Sequence, residues 1–263
     1  MRNRLCVVAL CLCALALPAA RADAQILPAE DHVIELGVMF WKPSPEWTLS
    51  TDARSGIGVD AVDFVQEFGI EDNKAFPEFR AVIGAKHKIR VSYVSFKYDA
   101  DATIQRTFAF QDRTLTPGAP ASTDISWDLW TWGYEWDFVS RERGFFGVFA
   151  DVRHNRIKAS VDSPLLTSAA TTDTAATVPT LGVIGRGYVA PMIAITGEFA
   201  GLSITRDEFE GKFVDYNFYG TVSFGRNVGV QGGYRSIALD YLVEEARGDL
   251  RMKGPYVGAV VRF

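Results

Sequence analysis

Residues 127–139 (WDLWTWGYEWDFV) alternate strictly, with Trp130, Trp132, Tyr134, Trp136 and Phe138 on one face and Thr131, Gly133, Glu135 and Asp137 on the other. A period of two is the signature of a β-strand, and a strand this divided must lie between two media. The same division recurs along the chain. In 213–225, Val214, Tyr216, Phe218, Val222 and Phe224 oppose Asp215, Asn217, Tyr219, Thr221 and Ser223; in 75–85, Phe79, Ala81 and Ile83 oppose Glu78, Arg80 and Val82; in 32–42, Ile34, Leu36, Val38 and Phe40 oppose Glu35, Gly37 and Met39. The chain closes on YVGAVVRF (256–263), with Val257, Ala259, Val261 and Phe263 on one face. Few soluble domains gain from an apolar last residue, since termini usually fray in water. A closed antiparallel barrel in lipid must instead pair its last strand with its first and coat the outside with apolar groups. A soluble β-sandwich would also alternate, but its outward faces would carry many lysines and glutamates; here the faces opposite the aromatics gather Asp, Glu and Arg.

Ten segments of strand length can be drawn, near 32–42, 75–85, 88–112, 122–139, 144–160, 178–187, 190–203, 213–225, 228–243 and 250–263. Tight connections around Ala85–His87, Ser140–Arg143, Tyr188–Val189 and Gly225–Asn227 alternate with longer ones at 43–74, 113–121, 161–177, 204–212 and 244–249. That asymmetry and an even strand number predict an all-β, closed antiparallel transmembrane barrel of about ten strands, within a range of eight to twelve, with short periplasmic turns and long extracellular loops. Segment 88–112 is long enough for two strands, and 178–187 is poorly patterned. Aromatics at Trp41, Tyr93, Trp130, Trp136, Phe145, Tyr188, Phe224, Tyr234 and Phe263 fall near predicted strand ends, where membrane interfaces favour them.

Arg2 and Arg4, the apolar run 5–17 and the small residues flanking Asp23 read as a signal peptide over 1–24, leaving 25–263 as one outer-membrane barrel domain. All three cysteines (Cys6, Cys11, Cys13) fall inside it, so the mature chain offers neither disulfide nor thiolate. Removal of 1–24 leaves 24 basic against 31 acidic residues, a net charge near −7 that gives no reason to expect nucleic-acid binding. Mean hydropathy is +0.04, which excludes a bundle of transmembrane helices but not a barrel, whose alternating strands average apolar with polar residues.

The segments FPEFRAVIGAKHKIRVSYVSF (76–96), VGVQGGYRSIALDYLV (228–243) and GPYVGAVVRF (254–263), with the signal peptide, resemble a family of small Gram-negative outer-membrane β-barrel proteins in the broad OmpA/OmpW-like class. The resemblance implies insertion among outer-membrane lipid and lipopolysaccharide. It also implies an assembly signal read by the barrel assembly machinery at Tyr256, Val257, Ala259, Val261 and Phe263; Val261 departs from the aromatic that many members carry there. It brings no catalytic motif, and the protein is expected to be a monomer without a cofactor.

By alternation the lumen receives acids at Glu35, Glu78, Glu135, Asp137, Asp151, Glu198 and Asp215, and bases at Arg80, Arg90, Arg153, Arg186, Arg235 and Arg262. The interior of an eight- to ten-stranded barrel holds little beyond side chains or one small solute, so these charges are expected to pair across it. They then serve as structural filling or frame a narrow small-solute pore. The alternative is an outer-membrane hydrolase, a lipid deacylase or an omptin-like protease. His32 and His87 fall at periplasmic strand ends, and RHNR (153–156) lacks a neighbouring serine; Asp99, Asp101, Asp124 and Asp128, with His154, are the candidate acids and base. No enzyme is expected. Loop carboxylates such as Asp207, Glu210, Glu244 and Glu245 show no metal-ligand spacing. The long first connection holds an amphipathic stretch, 59–70, expected to form a short helix or a strand extension.

Overall fold

The computed structural model describes residues 32–50, 62–70, 74–105, 107–110, 113–164, 169–206, 209–243 and 246–263. The signal peptide expected over 1–24, with its cysteines, lies outside them, as do Asp207, Glu244 and Glu245. Alternation is realised as strands β1 Ile34–Trp41, β2 Ser44–Ser50, β3 Val62–Asp63, β4 Phe76–Gly84, β5 His87–Thr103, β6 Phe108–Phe110, β7 Arg113–Leu115, β8 Pro120–Arg141, β9 Gly144–Asp162, β10 Ala170–Ala190, β11 Ile193–Arg206, β12 Phe209–Phe224, β13 Val228–Val243 and β14 Ala246–Arg262. The one helix among the described residues, α1 Phe64–Phe68, is opened by Asp63, whose carboxylate accepts from the amides of Val65 and Gln66, and is closed by Gly69 at φ 64°.

The strands form one antiparallel meander in the order β1-β4-β5-β8-β9-β10-β11-β12-β13-β14, and β14 returns to β1. Leu36 faces Ala81 on one side and Val261 on the other. Ten strands therefore close with no edge, which satisfies every ladder amide within the wall as hydrocarbon requires. The Val33 and Ile34 amides also donate to the Phe263 carbonyl, fastening the terminus at the seam. After β1 the wall breaks at Lys42–Pro43 and resumes as β2, still along β14 (Ser44↔Lys253). A Cβ on Gly254 would lie 2.1 Å from the Lys42 carbonyl oxygen, so the break demands a glycine opposite it. β6 and β7 form a separate hairpin.

The strands exceed their predicted lengths at the extracellular end. β10 spans 21 residues from Ala170, through a stretch expected to be loop, and β2 and β3 occupy part of the predicted first loop. Sequence 170–177 (ATTDTAAT) has no large apolar face because that part of the strand does not need one. The turn after β10 is Pro191–Met192, so Tyr188 and Val189 belong to the strand. Segment 88–112 divides into β5 and the start of the small hairpin.

The outer wall carries a continuous apolar belt. Leu36, Val38 and Phe40 on β1, Trp130, Trp132, Tyr134 and Trp136 on β8, Phe199 on β11, Phe218 on β12 and Val257 on β14 are all 37 % exposed or more. Two of the predicted interface aromatics are corrected: Trp41 (0 % exposed) and Phe145 (5 %) point into the lumen. Above the belt the exterior changes to ion pairs. Arg156 meets Asp173 at 2.8 Å, Arg251 meets Asp249 at 3.1 Å, Lys74 meets Asp99 at 2.6 Å, and Lys253 pairs with Glu46. Phe218→Arg, a charge placed in the belt, is expected to cost ~2–4 kcal/mol, read as a lower urea midpoint in reconstituted bilayers; an unchanged midpoint would mean that this face does not meet hydrocarbon.

Candidate functional site

The interior is built in two layers. On the periplasmic side lie all thirteen predicted lumen charges together with Lys88, which sits one residue past a tight turn and was absent from the predicted set. Seven acids then face seven bases. Three salt-bridge chains run through them. Arg80 grips Glu78 at 2.8 Å; Arg235 joins Glu78 (2.7 Å) to Asp215 (2.8 Å); Arg153 joins Asp215 (2.5 Å) to Asp151 (3.3 Å). Arg90 links Glu198 (2.5 Å) to Glu135 (3.1 Å), and Lys88 links Glu135 (2.9 Å) to Asp137 (2.6 Å). Arg262 holds Glu35 at 2.7 Å, with Arg186 at 3.5 Å. Arg235–Glu78, Arg90–Glu198 and Arg186–Glu35 each tie strands that are not neighbours, so opposite walls are braced through the lumen.

On the extracellular side the lumen turns apolar. Trp41, Phe96, Trp127, Phe213, Ile237 and Met252 are fully buried, and their rings interlock: Trp41 lies 5.3 Å from Phe96, Phe96 lies 5.6 Å from Trp127, and Phe76 lies 5.4 Å from Phe96. Higher still, Trp47 meets Tyr98 at 5.2 Å, with Phe68 and Ile70 from the end of α1 in the same cluster. Two of the three indoles are satisfied, Trp41 donating to the Gly254 carbonyl and Trp127 to Asn155 Oδ1, both at 3.0 Å, whereas the buried Trp47 Nε1 meets no acceptor among the described residues. This layer went unpredicted because alternation gives the inward residues but not what they face.

The layers are in direct contact. The Arg235 guanidinium stacks on Trp41 (5.4 Å) and that of Arg153 on Phe213 (4.7 Å), so the uppermost cations cap the lowest rings. Two cavities of about 50 Å³ each remain within the charged layer. The first is lined by Thr131, Asp151 and Asn217, each with a buried polar atom turned to no protein partner. A space of that size holds a few waters and no larger solute.

The hydrolase candidates do not assemble. Asp99, Asp101, Asp124 and Asp128 alternate with the inward residues of β5 and β8 and therefore face outward; Asp99 binds Lys74, and Asp128 accepts from the Tyr93 hydroxyl at 3.1 Å. His154 lies on the outer face of β9, its Nδ1 2.9 Å from the Thr177 hydroxyl. Among the described residues no group of three His, Cys, Asp or Glu side chains is arranged to hold a metal ion. Of the residues of the terminal strand, Tyr256 points inward and bonds Asn217 Oδ1 at 2.9 Å, whereas Val257, Ala259, Val261 and Phe263 face outward.

Apolar belt, charged lumen and edgeless wall together define the class, a ten-stranded transmembrane β-barrel of the outer-membrane type. Comparison with known proteins agrees at the level of fold. No protein-family model and no curated protein sequence matches the chain. The outer-membrane protease OmpT of Escherichia coli superimposes with a TM-score of 0.60 at 10 % identity, over 89 % of this chain and 97 % of that one. The translocator domain of the autotransporter NalP from Neisseria meningitidis (TM-score 0.40, 8 % identity, 89 % and 90 % covered) and the toluene transporter TodX of Pseudomonas putida (0.36, 6 %, 89 % and 90 %) are more distant. Such identities carry the fold and no activity.

Proposed function

We propose that this protein is a closed scaffold of the outer membrane, with a structural and surface-interaction role rather than a transport or catalytic one. It reaches its site through the signal peptide and the barrel assembly machinery, and works as a monomer without a cofactor. The observation that carries this reading is the filled lumen. Any solute crossing it would have to separate three braced ion-pair chains and then a packed aromatic layer, and would leave buried charges without partners on the way. What the barrel offers its surroundings is its exterior: a rigid wall standing above the bilayer, with the small β6–β7 hairpin and α1 at its extracellular end. Protein reconstituted in planar bilayers is expected to give a flat current across the accessible voltage range. Reproducible single-channel steps that vanish when the protein is omitted would overturn the reading in favour of a pore.

A further inference from the structure

At its periplasmic margin the belt carries a shelf of rings. His87 stacks on Trp136 at 6.3 Å with the planes 4° apart, Trp136 meets Phe138 at 6.0 Å, and Phe138 meets Phe146 edge-on at 5.4 Å. Although they pack on one another, Trp136, Phe138 and Phe146 are each 43 % exposed or more, so the outer face of the shelf is open to the bilayer. Flat amphipathic rings at this depth suit the boundary between hydrocarbon and headgroups.

Directly below the shelf the wall turns basic. β8 and β9 run past the rings into a tight turn at Glu142 and Arg143, closed by the pairing of Arg141 with Gly144. The turn before β5 supplies Lys86, whose carbonyl accepts the Asp137 amide at 2.9 Å, which sets it beside the shelf. Lys86, Arg141 and Arg143 are exposed, and among the described residues none of their side chains is held by an ion pair or hydrogen bond. The three turns at this edge, 84–87, 140–144 and 188–192, lie wholly within the described residues and contain one acid, Glu142. The next acids along β8, Glu135 and Asp137, point into the lumen and are held by Lys88. Three cations against one acid leave this edge positive, in a chain whose net charge is −5.

Depth selects the ligand. Val139, 40 % exposed, is the last apolar residue of β8. Arg141 lies two residues beyond it, ~7 Å along the strand and ~5 Å along the membrane normal at the usual tilt. The headgroup region of one leaflet is ~5–7 Å deep, so the arginines stand at the height of lipid phosphates and the shelf at the height of the glycerol esters. We infer that this edge is a binding site for an anionic phospholipid of the periplasmic leaflet. Arg141, Arg143 and Lys86 take its phosphate, the guanidinium forks gripping two oxygens at once, while its glycerol and upper acyl chains lie on the Trp136–Phe138–Phe146 shelf. The surplus of positive charge favours a headgroup with net negative charge, such as phosphatidylglycerol, over a zwitterionic one whose amine would meet the same cations. The inference rests on the outer-membrane reading above, which places the tight turns in the periplasm.

The test uses the full mature chain in nanodiscs of phosphatidylcholine doped with phosphatidylglycerol, with phosphatidylethanolamine in a parallel arm, and counts lipid retained by native mass spectrometry. Wild type is expected to retain phosphatidylglycerol selectively. Arg141→Gln with Arg143→Gln should weaken retention roughly 30-fold, about fivefold for each arginine removed beside an anionic lipid. Glu142→Gln, which removes the one acid of the turn, should strengthen it. Arg226 supplies the control: it is exposed in the turn before β13, four strands away and two residues past Phe224, and Arg226→Gln should leave retention unchanged. Insertion of each variant is scored separately by the resistance of the folded barrel to denaturation in detergent. Failure of wild type to insert would sink the membrane reading itself. An inserted barrel that holds phosphatidylglycerol no better than phosphatidylethanolamine, or equally well in the double glutamine variant, would sink only the site. A loss in Arg226→Gln as large as that for either arginine of the β8–β9 turn would spread the attraction over the whole basic rim and also overturn the assignment.

Discussion

Replacing Arg235 by methionine is expected to lower the unfolding free energy of the barrel by ~3–5 kcal/mol. The reason lies in what the guanidinium touches. It donates to Glu78 at 2.7 Å and to both oxygens of Asp215 at 3.1 and 2.8 Å, and its flat face covers Trp41. Glu78 and Asp215 are 2 % and 6 % exposed, so the orphaned carboxylates could not recover their hydration. Methionine keeps the volume and the contact with Trp41, which isolates the charge from the packing. The accompanying variant, Arg235→Met with Asp215→Asn, removes one charge of each sign. Arg153 keeps Asp151 in that variant and Glu78 keeps Arg80, so much of the lost stability should return. Urea midpoints in lipid vesicles, followed by tryptophan fluorescence, read both. A loss below ~1 kcal/mol for the single variant would mean that water screens the network as it screens surface pairs; the lumen would then be wet and open, contrary to the proposed function.

How much of this was legible in the sequence follows from which medium each residue faces. Within the bilayer two solvents of opposite character act on the two faces of each strand, so Glu78 beside Phe79 and Glu135 beside Trp136 announce both strand and orientation. The partners of those charges were not legible. Arg90 meets Glu198 across 108 positions of sequence, and nothing in alternation fixes which strands face each other through the lumen. Lys88 was hidden by its nearness to the turn. Above the membrane water bathes the outside of the wall, the outward residues become Thr, Asp, Lys and Arg, and the inward ones become apolar. The sense of the alternation is thereby inverted. The signal fades where the two patterns meet, which is why 170–177 reads as loop and why Trp41, a membrane-interface aromatic by its position in sequence, is a core residue.

That inversion supplies the sharpest contrast between two tryptophans on one strand. Trp127 and Trp132 lie five residues apart on β8, on opposite faces; Trp127 is 0 % exposed within the extracellular layer, and Trp132 is 48 % exposed in the belt. Trp127→Ala is expected to cost ~3–5 kcal/mol, because it opens a void beside Phe96 and removes the indole donor from Asn155 Oδ1. Trp132→Ala should cost well under half as much, because lipid chains flow into the space that the ring vacates, whereas protein relaxes into a core cavity only in part. Conductance should stay flat in both variants, since the three braced chains beneath Trp127 still close the lumen. Were Trp132→Ala the more damaging of the two by urea midpoint, the extracellular half of the barrel would have to be a hydrated vestibule, and what holds its walls together would have to be sought in their backbone ladders rather than in the rings between them.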